Sequence, residues 1–481
     1  MKVCMFVKNS FEYDARVTKE AKTLIGAGHD VTVVAIHVPN KTAEQEVTKD
    51  GIRVIRVSRM SFGMRFAQRA HARYIVGVEE RHARLSGTDV DEERVRKYTA
   101  VLPASTATPG DNEVPPAPRR PVPTFQGPAP APAAGMRGVW VKASTAVLRA
   151  GSRIARWGFR AARFVFIWPL RAARIHSLNR RFIAAGLATG ADVWHSHDLN
   201  TLYVGSRCKA KRPGTRLVYD SHELATQRSR MGRVKRRWAG WNERRGLRHA
   251  DEVIMTTRSR ARYQVERYGI PFPNLIRNVP EIIEVETGWD LHERLEIPKD
   301  RRILLYQGSI QEFRGIEEAI EAVTMLDRCV LVVIGYGYHR PALEEVVRRR
   351  GLADRVKFFG PIPNDELLYY TASADVGLCV IRGQSLSYRW SLPNKLFEYM
   401  MAGIPVVASD YEEMGRVVKE EGVGTVCDPD DPESIAAAVA AIVDDPAAEA
   451  RFRAATRTAI TRYNWTVEGQ VLRGIYDRLA G

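Results

Sequence analysis

The feature that most constrains this chain is a repeated alternation of a short apolar run, a polar or glycine-bearing turn, and a stretch with helical apolar spacing. Residues 1 to 58 give KVCMFV, a helical stretch from Asp14 to Gly26, then DVTVVAI and IRVIRV, and the series continues in ADVWHSH, RLVYDSHE and DEVIMTT. From about Pro298 the pattern restarts: RILLYQGSI, a helix from Gly315 to Met325, CVLVVIGYG, a helix near Pro341 to Arg350, VKFFGPI, a helix near Asn364 to Ala374, and ADVGLCV. Strands with so little polar alternation need both faces covered, as in parallel sheets flanked by helices. The expected fold class is α/β, with two Rossmann-like doubly wound parallel-sheet domains facing a central crevice. A chain of 481 residues can bury a core in each. The expected boundaries are 1–285 for the first domain, 286–460 for the second, and 461–481 for a helix packing back across the joint.

An insert over residues 60–185 interrupts the first domain. Its stretch 101–136 holds ten prolines, so it can neither join a sheet nor bury a core, and a flexible linker is expected. Residues 141–181 then carry ten Lys or Arg and no acidic residue. Arg149, Arg153, Arg156, Arg160 and Arg163 step along one helical stripe, and Ile154, Trp157, Ala161, Phe164 and Trp168 along another. An arginine row beside an aromatic row suits an anionic membrane surface. A helix packed on the protein's own sheet is the alternative, and nucleic acid fits less well, because no recognised nucleic-acid motif accompanies the net charge of +17.

The five cysteines, Cys4, Cys208, Cys329, Cys379 and Cys427, form no CxxC pair and sit in or near apolar runs, as reduced core residues do. The first strand-like run, VCMFV, is too short for a signal-peptide core or a spanning helix. A cytoplasmic protein, peripheral on the cytoplasmic face of the membrane, is the expectation that follows.

The segment SLPNKLFEYMMAGIPVVAS reads as a turn, a short helix and a buried strand. Free backbone N–H groups gather at a helix start, and Lys395 adds a charge there, so the mouth of this helix suits an anion. Glu398 lies on the same face as Asn394. A carboxylate so placed suits the vicinal hydroxyls of a ribose, although a surface capping residue is the ordinary alternative. YQGSIQEFRG brings Gly308, Ser309 and Arg314 to a second strand-to-helix loop, where a guanidinium can make paired bonds to phosphate. Gly335 and the GPIP turn with Pro361 and Ile362 offer further loops at which backbone could approach a nucleobase. Of the histidines on one strand end, His195 and His197, one is expected in the core; His222 is either a site residue or a loop cap. Asp198 and Glu223 are nearby carboxylates, and no set of ligand-type residues has metal-binding spacing, so no metal and no cofactor is expected.

Together these segments resemble the family 4 (group 1) glycosyltransferases of the GT-B fold. The resemblance is carried by YDARVTKEAKTLIGAGHDVTVVA, ADVWHSHDLNTL, LVYDSHEL, IRNVP, YQGSIQEFRGIEEAIEAV, VKFFGPIPNDELLYYTASADVGLCV, LPNKLFEYMMAGIPVVASD and EGVGTVCDPDDPESIAAAV, most of the chain outside roughly 60 to 185. It implies that Glu398 grips the donor ribose and that the backbone of Asn394, Lys395 and Leu396 faces the diphosphate. Arg314 would hold the pyrophosphate, Pro361 and Ile362 would touch the base, His197 would stand near the transferred sugar, and the Asn9 to Asp14 loop would border the acceptor side. Two positions depart from the family: Trp390 stands where its first glutamate falls, and Ser309 where a basic residue often follows the glycine.

The implied function is a retaining, nucleotide-sugar-dependent glycosyltransferase, with His197, Arg314 and Lys395 as catalytic residues. A nucleotide diphosphate sugar is the donor, a glycan or lipid-linked hydroxyl in cell-envelope polysaccharide or glycolipid synthesis the acceptor, and the expected partners include an anionic membrane surface but no nucleic acid. A nucleotide-sugar epimerase, or a non-catalytic membrane-associated scaffold that binds sugar nucleotide, are the alternatives.

Overall fold

The computed structural model describes residues 1–12, 14–59, 171–228, 231–283 and 290–481. The chain divides into two compact units, Met1–Val57 with Arg180–Gly481, and Ser58–Asn179. The proline-rich stretch 101–136 and residues 141–170 of the basic segment lie outside the described residues; residues 171–188 are helical.

The larger unit contains two sheets. The first has eight strands in the order β3-β4-β2-β1-β5-β6-β7-β8, built from β1 (Lys2–Phe6), β2 (Asp30–His37), β3 (Gln45–Val47), β4 (Arg53–Ser58), β5 (Val193–His197), β6 (Arg216–Ser221), β7 (Glu252–Met255) and β8 (Asn274–Leu275). β1 pairs in parallel with β2 and β5, and β5 through β8 continue in parallel, while β3 runs antiparallel to β4. The second sheet is wholly parallel, in the order β11-β10-β9-β12-β13-β14, from β9 (Arg302–Gln307), β10 (Cys329–Ile334), β11 (Val356–Phe359), β12 (Val376–Cys379), β13 (Val406–Ser409) and β14 (Gly424–Cys427). Strand order reverses between β1 and β5 in one sheet and between β9 and β12 in the other. The crevice beyond the carboxyl ends at such a reversal is where open α/β sheets take ligands.

Burial explains the apolar runs. Every residue of β10 is buried, as is every residue of β9 after Arg302. Helices cover both faces: Ile316, Ile320 and Val323 of the Ile316–Thr324 helix belong to one core cluster with Leu304 and Leu331, and Phe397 and Met400 of the Asn394–Met401 helix belong to another with Leu305 and Val332. All five cysteines are free and buried.

The Trp465–Ala480 helix packs on the Ala15–Gly26 helix of the first sheet's layer. Its Trp465 Nε1 donates to Thr23 Oγ1 at 2.9 Å, and Glu468 pairs with Arg277 at 2.6 Å. Tyr476, fully buried, has its hydroxyl 2.9 Å from Nδ1 of His195. The two sheet layers also meet directly, where Arg260 Nη2 donates to the Ser387 carbonyl at 2.8 Å and the Ser259 amide donates to Glu413 at 2.6 Å.

Candidate functional site

A cleft of about 480 Å³ lies between the two sheet layers, lined on one side by Asp14, Arg16, His222 and Arg260, and on the other by Arg314, Tyr388, Pro393 and Asn394. Each residue stands there for a local reason. Asp14 caps the Ala15–Gly26 helix by accepting from the Val17 amide, which sets Arg16 in its first turn. Gly315 follows Arg314 with φ 72° and begins the next helix; a Cβ there would lie 1.8 Å from the Val380 carbonyl oxygen. Only glycine lets that loop press against the end of β12 and turn Arg314 into the cleft.

Lys395 is buried, and its Nζ has no hydrogen-bond partner among the described residues. The ammonium stands 3.4 Å from the centre of the Tyr306 ring and close to Gly308. Burial lowers its pKa to about 7. Arg314 lies over the Tyr388 ring at 5.2 Å, and its Nε is buried without a partner. Two cations with unused donors therefore flank the start of the Asn394–Met401 helix, whose first-turn amides add to the positive field.

Glu398 accepts from Gln307 Nε2 at 2.6 Å, while Gln307 Oε1 accepts from Thr371 Oγ1 at 2.8 Å. This fixes the carboxylate at the end of β9. Burial raises its pKa, with the Gln307 hydrogen bond and the charges of Lys395 and Lys19 opposing the rise. Lys19 belongs to the first sheet's layer, donating to the Val279 carbonyl and to Asn278 Oδ1.

The remaining expected residues are distributed unevenly. Asn394 and Arg314 line the cleft; Gly308, Ser309, Gly335, Pro361, Ile362, Lys395, Leu396 and Glu398 are not among its lining residues. Leu396 is core, and its amide donates to the Pro393 carbonyl at 3.1 Å. A Cβ on Gly335 (φ 143°) would lie 1.9 Å from the Gly308 carbonyl oxygen, so these two glycine loops lock against each other. Pro361 is exposed, and Ile362 is partly buried against the core beyond β11. Trp390 tilts against Tyr263 at 5.9 Å, and its carbonyl accepts from Thr257 Oγ1; it is packing between the layers.

The histidines rearrange the sequence expectation. His195 and His197 are both buried, and the histidine that lines the cleft is His222. Their rings form a stack, His195 on His197 at 4.3 Å and His197 tilted against His222 at 5.5 Å. Beneath them Asp220 accepts from Arg16 twice, Nε to Oδ2 and Nη2 to Oδ1, each at 3.0 Å, and lies 2.7 Å from His222 Nε2. Burial alone would raise the Asp220 pKa, but Arg16 and His222 outweigh it and hold the carboxylate well below the usual range. Partial withdrawal from water works against a charged His222, yet Asp220 and Asp198 push its pKa up to about 9. Burial and the charge of Asp220 carry Glu20 up to about 7.

Glu20, His195, His197 and Asp220 present ligand-type atoms all within 4.8 Å of one another, a constellation the linear spacing does not show. Arg16 Nε stands 3.0 Å from both Glu20 Oε1 and Asp220 Oδ2, so a guanidinium already supplies the positive charge there. Sequence reasoning missed Arg16, Glu20, Asp220 and Arg260. One signal was available: Arg16 and Glu20 share the buried stripe with Val17, Ala21 and Leu24, and charges within an apolar stripe need partners.

Two α/β sheets, one parallel and one parallel but for its edge strand β3, with a cleft between their layers, define the GT-B class. Consistently, the structure is similar over 100% of its length to sucrose-phosphate synthase from Thermosynechococcus elongatus (TM-score 0.65, 16% identity, 99% of that chain). It is likewise similar over 99% to HepE from Anabaena, solved with UDP-glucose (TM-score 0.61, 14% identity, 100% of that chain). Residues 288–459 match the model of the glycosyl transferases group 1, and residues 116–284 that of glycosyltransferase family 4. The chain belongs to the group 1, family 4 glycosyltransferases. Among curated relatives, it is 30% identical over 256 residues to alpha-D-kanosaminyltransferase of Streptomyces kanamyceticus, covering 50% of this chain and 64% of that protein. It is 26% identical over 317 residues to phosphatidyl-myo-inositol mannosyltransferase of Mycobacterium leprae, covering 64% and 78%. Two further relatives are matched over only 57% and 50% of their own length.

Proposed function

We propose that this protein transfers a sugar, with retention of configuration, from a nucleotide diphosphate sugar to a hydroxyl of a glycan or lipid-linked acceptor in cell-envelope polysaccharide or glycolipid synthesis. The observation that carries the reading is Lys395: a buried ammonium with no hydrogen-bond partner among the described residues, at a helix start and near a second underused cation, Arg314. A buried ammonium without a hydrogen-bond partner is costly unless a ligand supplies one. A diphosphate does so, and Glu398 provides the acceptor oxygens for ribose hydroxyls.

In this reading the C1–oxygen bond to the diphosphate breaks, the acceptor oxygen bonds to C1 on the same face, and the acceptor proton passes to the departing phosphate oxygen. Lys395, Arg314 and the helix start stabilise the charge that grows on that oxygen. His222, exposed to the cleft and held by Asp220, meets the sugar, and His197 supports it from beneath. The lipid-linked acceptor draws on the likeness to a mannosyltransferase named for phosphatidyl-myo-inositol. No helix among the described residues is long and apolar enough to cross a membrane.

The test is a panel of nucleotide sugars screened by melting temperature, then acceptor trials with the donor that binds. Binding that is lost in Lys395→Ala and Arg314→Ala, together with product formed only when acceptor is present, supports the proposal. Conversion of donor alone to a sugar isomer, or unchanged affinity in both variants, sinks it.

A further inference from the structure

The helix Arg233–Leu247 carries a surface that the donor cleft does not explain. Arg233, Lys235, Arg236, Arg237, Arg244 and Arg245 are all exposed. The helix's one acidic residue, Glu243, is turned inward, 1% exposed, and accepts from Tyr219, Gln264 and Tyr268. Its solvent face is thus purely cationic, and none of those six residues forms an ion pair among the described residues. Three large apolar side chains stand among them: Val234 is 78% exposed, Trp238 59% and Trp241 56%. Their spacing of four and three puts them on one stripe of the helix. Arg245 lies over the Trp241 ring at 5.4 Å. The neighbouring Leu199–Lys211 helix, packed against this one, exposes Tyr203 and Arg207.

Helix formation alone does not call for this pattern. Two tryptophans held in water lose the hydrophobic stabilisation that burial would give, and a row of like charges repels itself. Both costs fall when the face meets a surface that is negatively charged at its plane and apolar just below it. Indole rings favour that depth, and arginine stems lie along apolar material with their guanidinium groups on phosphate.

We infer that the Val234–Trp238–Trp241 face of the Arg233–Leu247 helix is a docking surface for anionic lipid bilayers. The occupant is set by charge complementarity: Lys235, Arg237, Arg244 and Arg245 flank an aromatic stripe. The inference deepens the proposed function by naming the face that meets lipid, and it stands on residues outside the donor cleft.

The test uses the full chain with vesicles of phosphatidylcholine, with and without phosphatidylglycerol. The protein is expected to co-sediment with the anionic vesicles only. Trp238→Ala/Trp241→Ala is expected to weaken binding at least about tenfold, and Arg237→Glu/Arg245→Glu at least about a hundredfold. Melting temperature and circular dichroism verify that both variants fold, and the nucleotide-induced melting shift is expected to stay as in the parent. Arg153→Glu/Arg156→Glu/Arg160→Glu is the comparison variant: loss of vesicle binding there, with both helix variants binding as the parent does, assigns lipid contact to that segment and overturns the inference. The inference is overturned if the parent ignores anionic vesicles, if both helix variants bind them as the parent does, or if duplex DNA but not vesicles captures the protein. Absence of any nucleotide shift in the parent would instead count against the donor-site reading alone.

Discussion

The Asp220 carboxylate lies 2.7 Å from Nε2 of His222 while accepting two hydrogen bonds from Arg16, a residue 204 positions earlier in the chain. One buried anion therefore ties the opening helix of the first domain to the histidine that lines the cleft. Replacing it by a neutral isostere leaves Arg16 with Glu20 alone and His222 with Asp198 alone as counter-charge. Asp220→Asn is expected to destabilise the fold by roughly 3–5 kcal/mol in urea unfolding. A loss below about 1 kcal/mol would contradict the view of Asp220 as the hub.

The same pair gives a pH dependence. His222 is raised from its ordinary value to about 9, so its stabilising contribution is fully present below the unfolded-state pKa and is lost as pH rises through about 9. Melting temperature followed from pH 6 to pH 10 is expected to fall along its upper limb by more in the parent than in His222→Gln. Superimposable upper limbs would show that the imidazolium is not stabilised by its neighbours.

Lys395 has the opposite sign. Its pKa is lowered to about 7, so between there and its unfolded value the unfolded chain binds the extra proton and stability climbs with pH. Lys395→Met is expected to raise the melting temperature of the ligand-free protein near pH 6, by the equivalent of about 1–3 kcal/mol, and to weaken nucleoside diphosphate binding at least tenfold. Calorimetry at pH 8 in buffers of differing ionisation enthalpy is expected to show the parent taking up about one proton on binding a diphosphate, and the variant none. Equal proton release or uptake in the two proteins would remove Lys395 from the phosphate site.

Glu398, held by Gln307, is proposed to read the ribose. Glu398→Gln is expected to lower affinity for a nucleoside diphosphate by about tenfold, one to two hydrogen bonds' worth, while leaving affinity for inorganic pyrophosphate unchanged. A parallel loss for both ligands would place the carboxylate's effect on the phosphates instead.

Gly315 is a purely conformational test. With φ 72° and a Cβ that would meet the Val380 carbonyl oxygen at 1.8 Å, Gly315→Ala is expected to destabilise by several kcal/mol, on the order of 3, and to displace Arg314. Normal stability, seen by urea unfolding, would mean the loop has room that its present geometry lacks.

The fold was legible in the sequence because a parallel sheet writes itself locally: runs such as CVLVVI are buried end to end, and each is followed by a helix whose spacing marks one face. The loop and helix around Arg314, Gly315 and Lys395 are legible for a similar reason, since each lies at a junction between a strand and a helix that neighbouring residues define. The Asp220 hub is not. Arg16, Glu20, His195 and Asp220 come from three separated segments, and only the side-by-side pairing of β1, β5 and β6 brings them together. The expectation that one of His195 and His197 lies in the core and the other in the crevice fails because residues two apart on a strand point to the same face. β5 is buried along its whole length, so both of its histidines lie inside. The arginine-beside-aromatic pattern read in residues 149–168 also runs through Arg233–Leu247, but only burial shows that Trp238 and Trp241 are exposed.

The contact between His195 and Tyr476 spans 281 positions, and it has a consequence for synthesis on the ribosome. The first sheet receives the hydroxyl that faces its buried histidine, and the indole that bonds Thr23, only when the Trp465–Ala480 helix emerges. Until then the nascent N-terminal half carries an uncovered patch and an unmatched imidazole, so the first sheet's layer is completed only after every strand of the second sheet has been made.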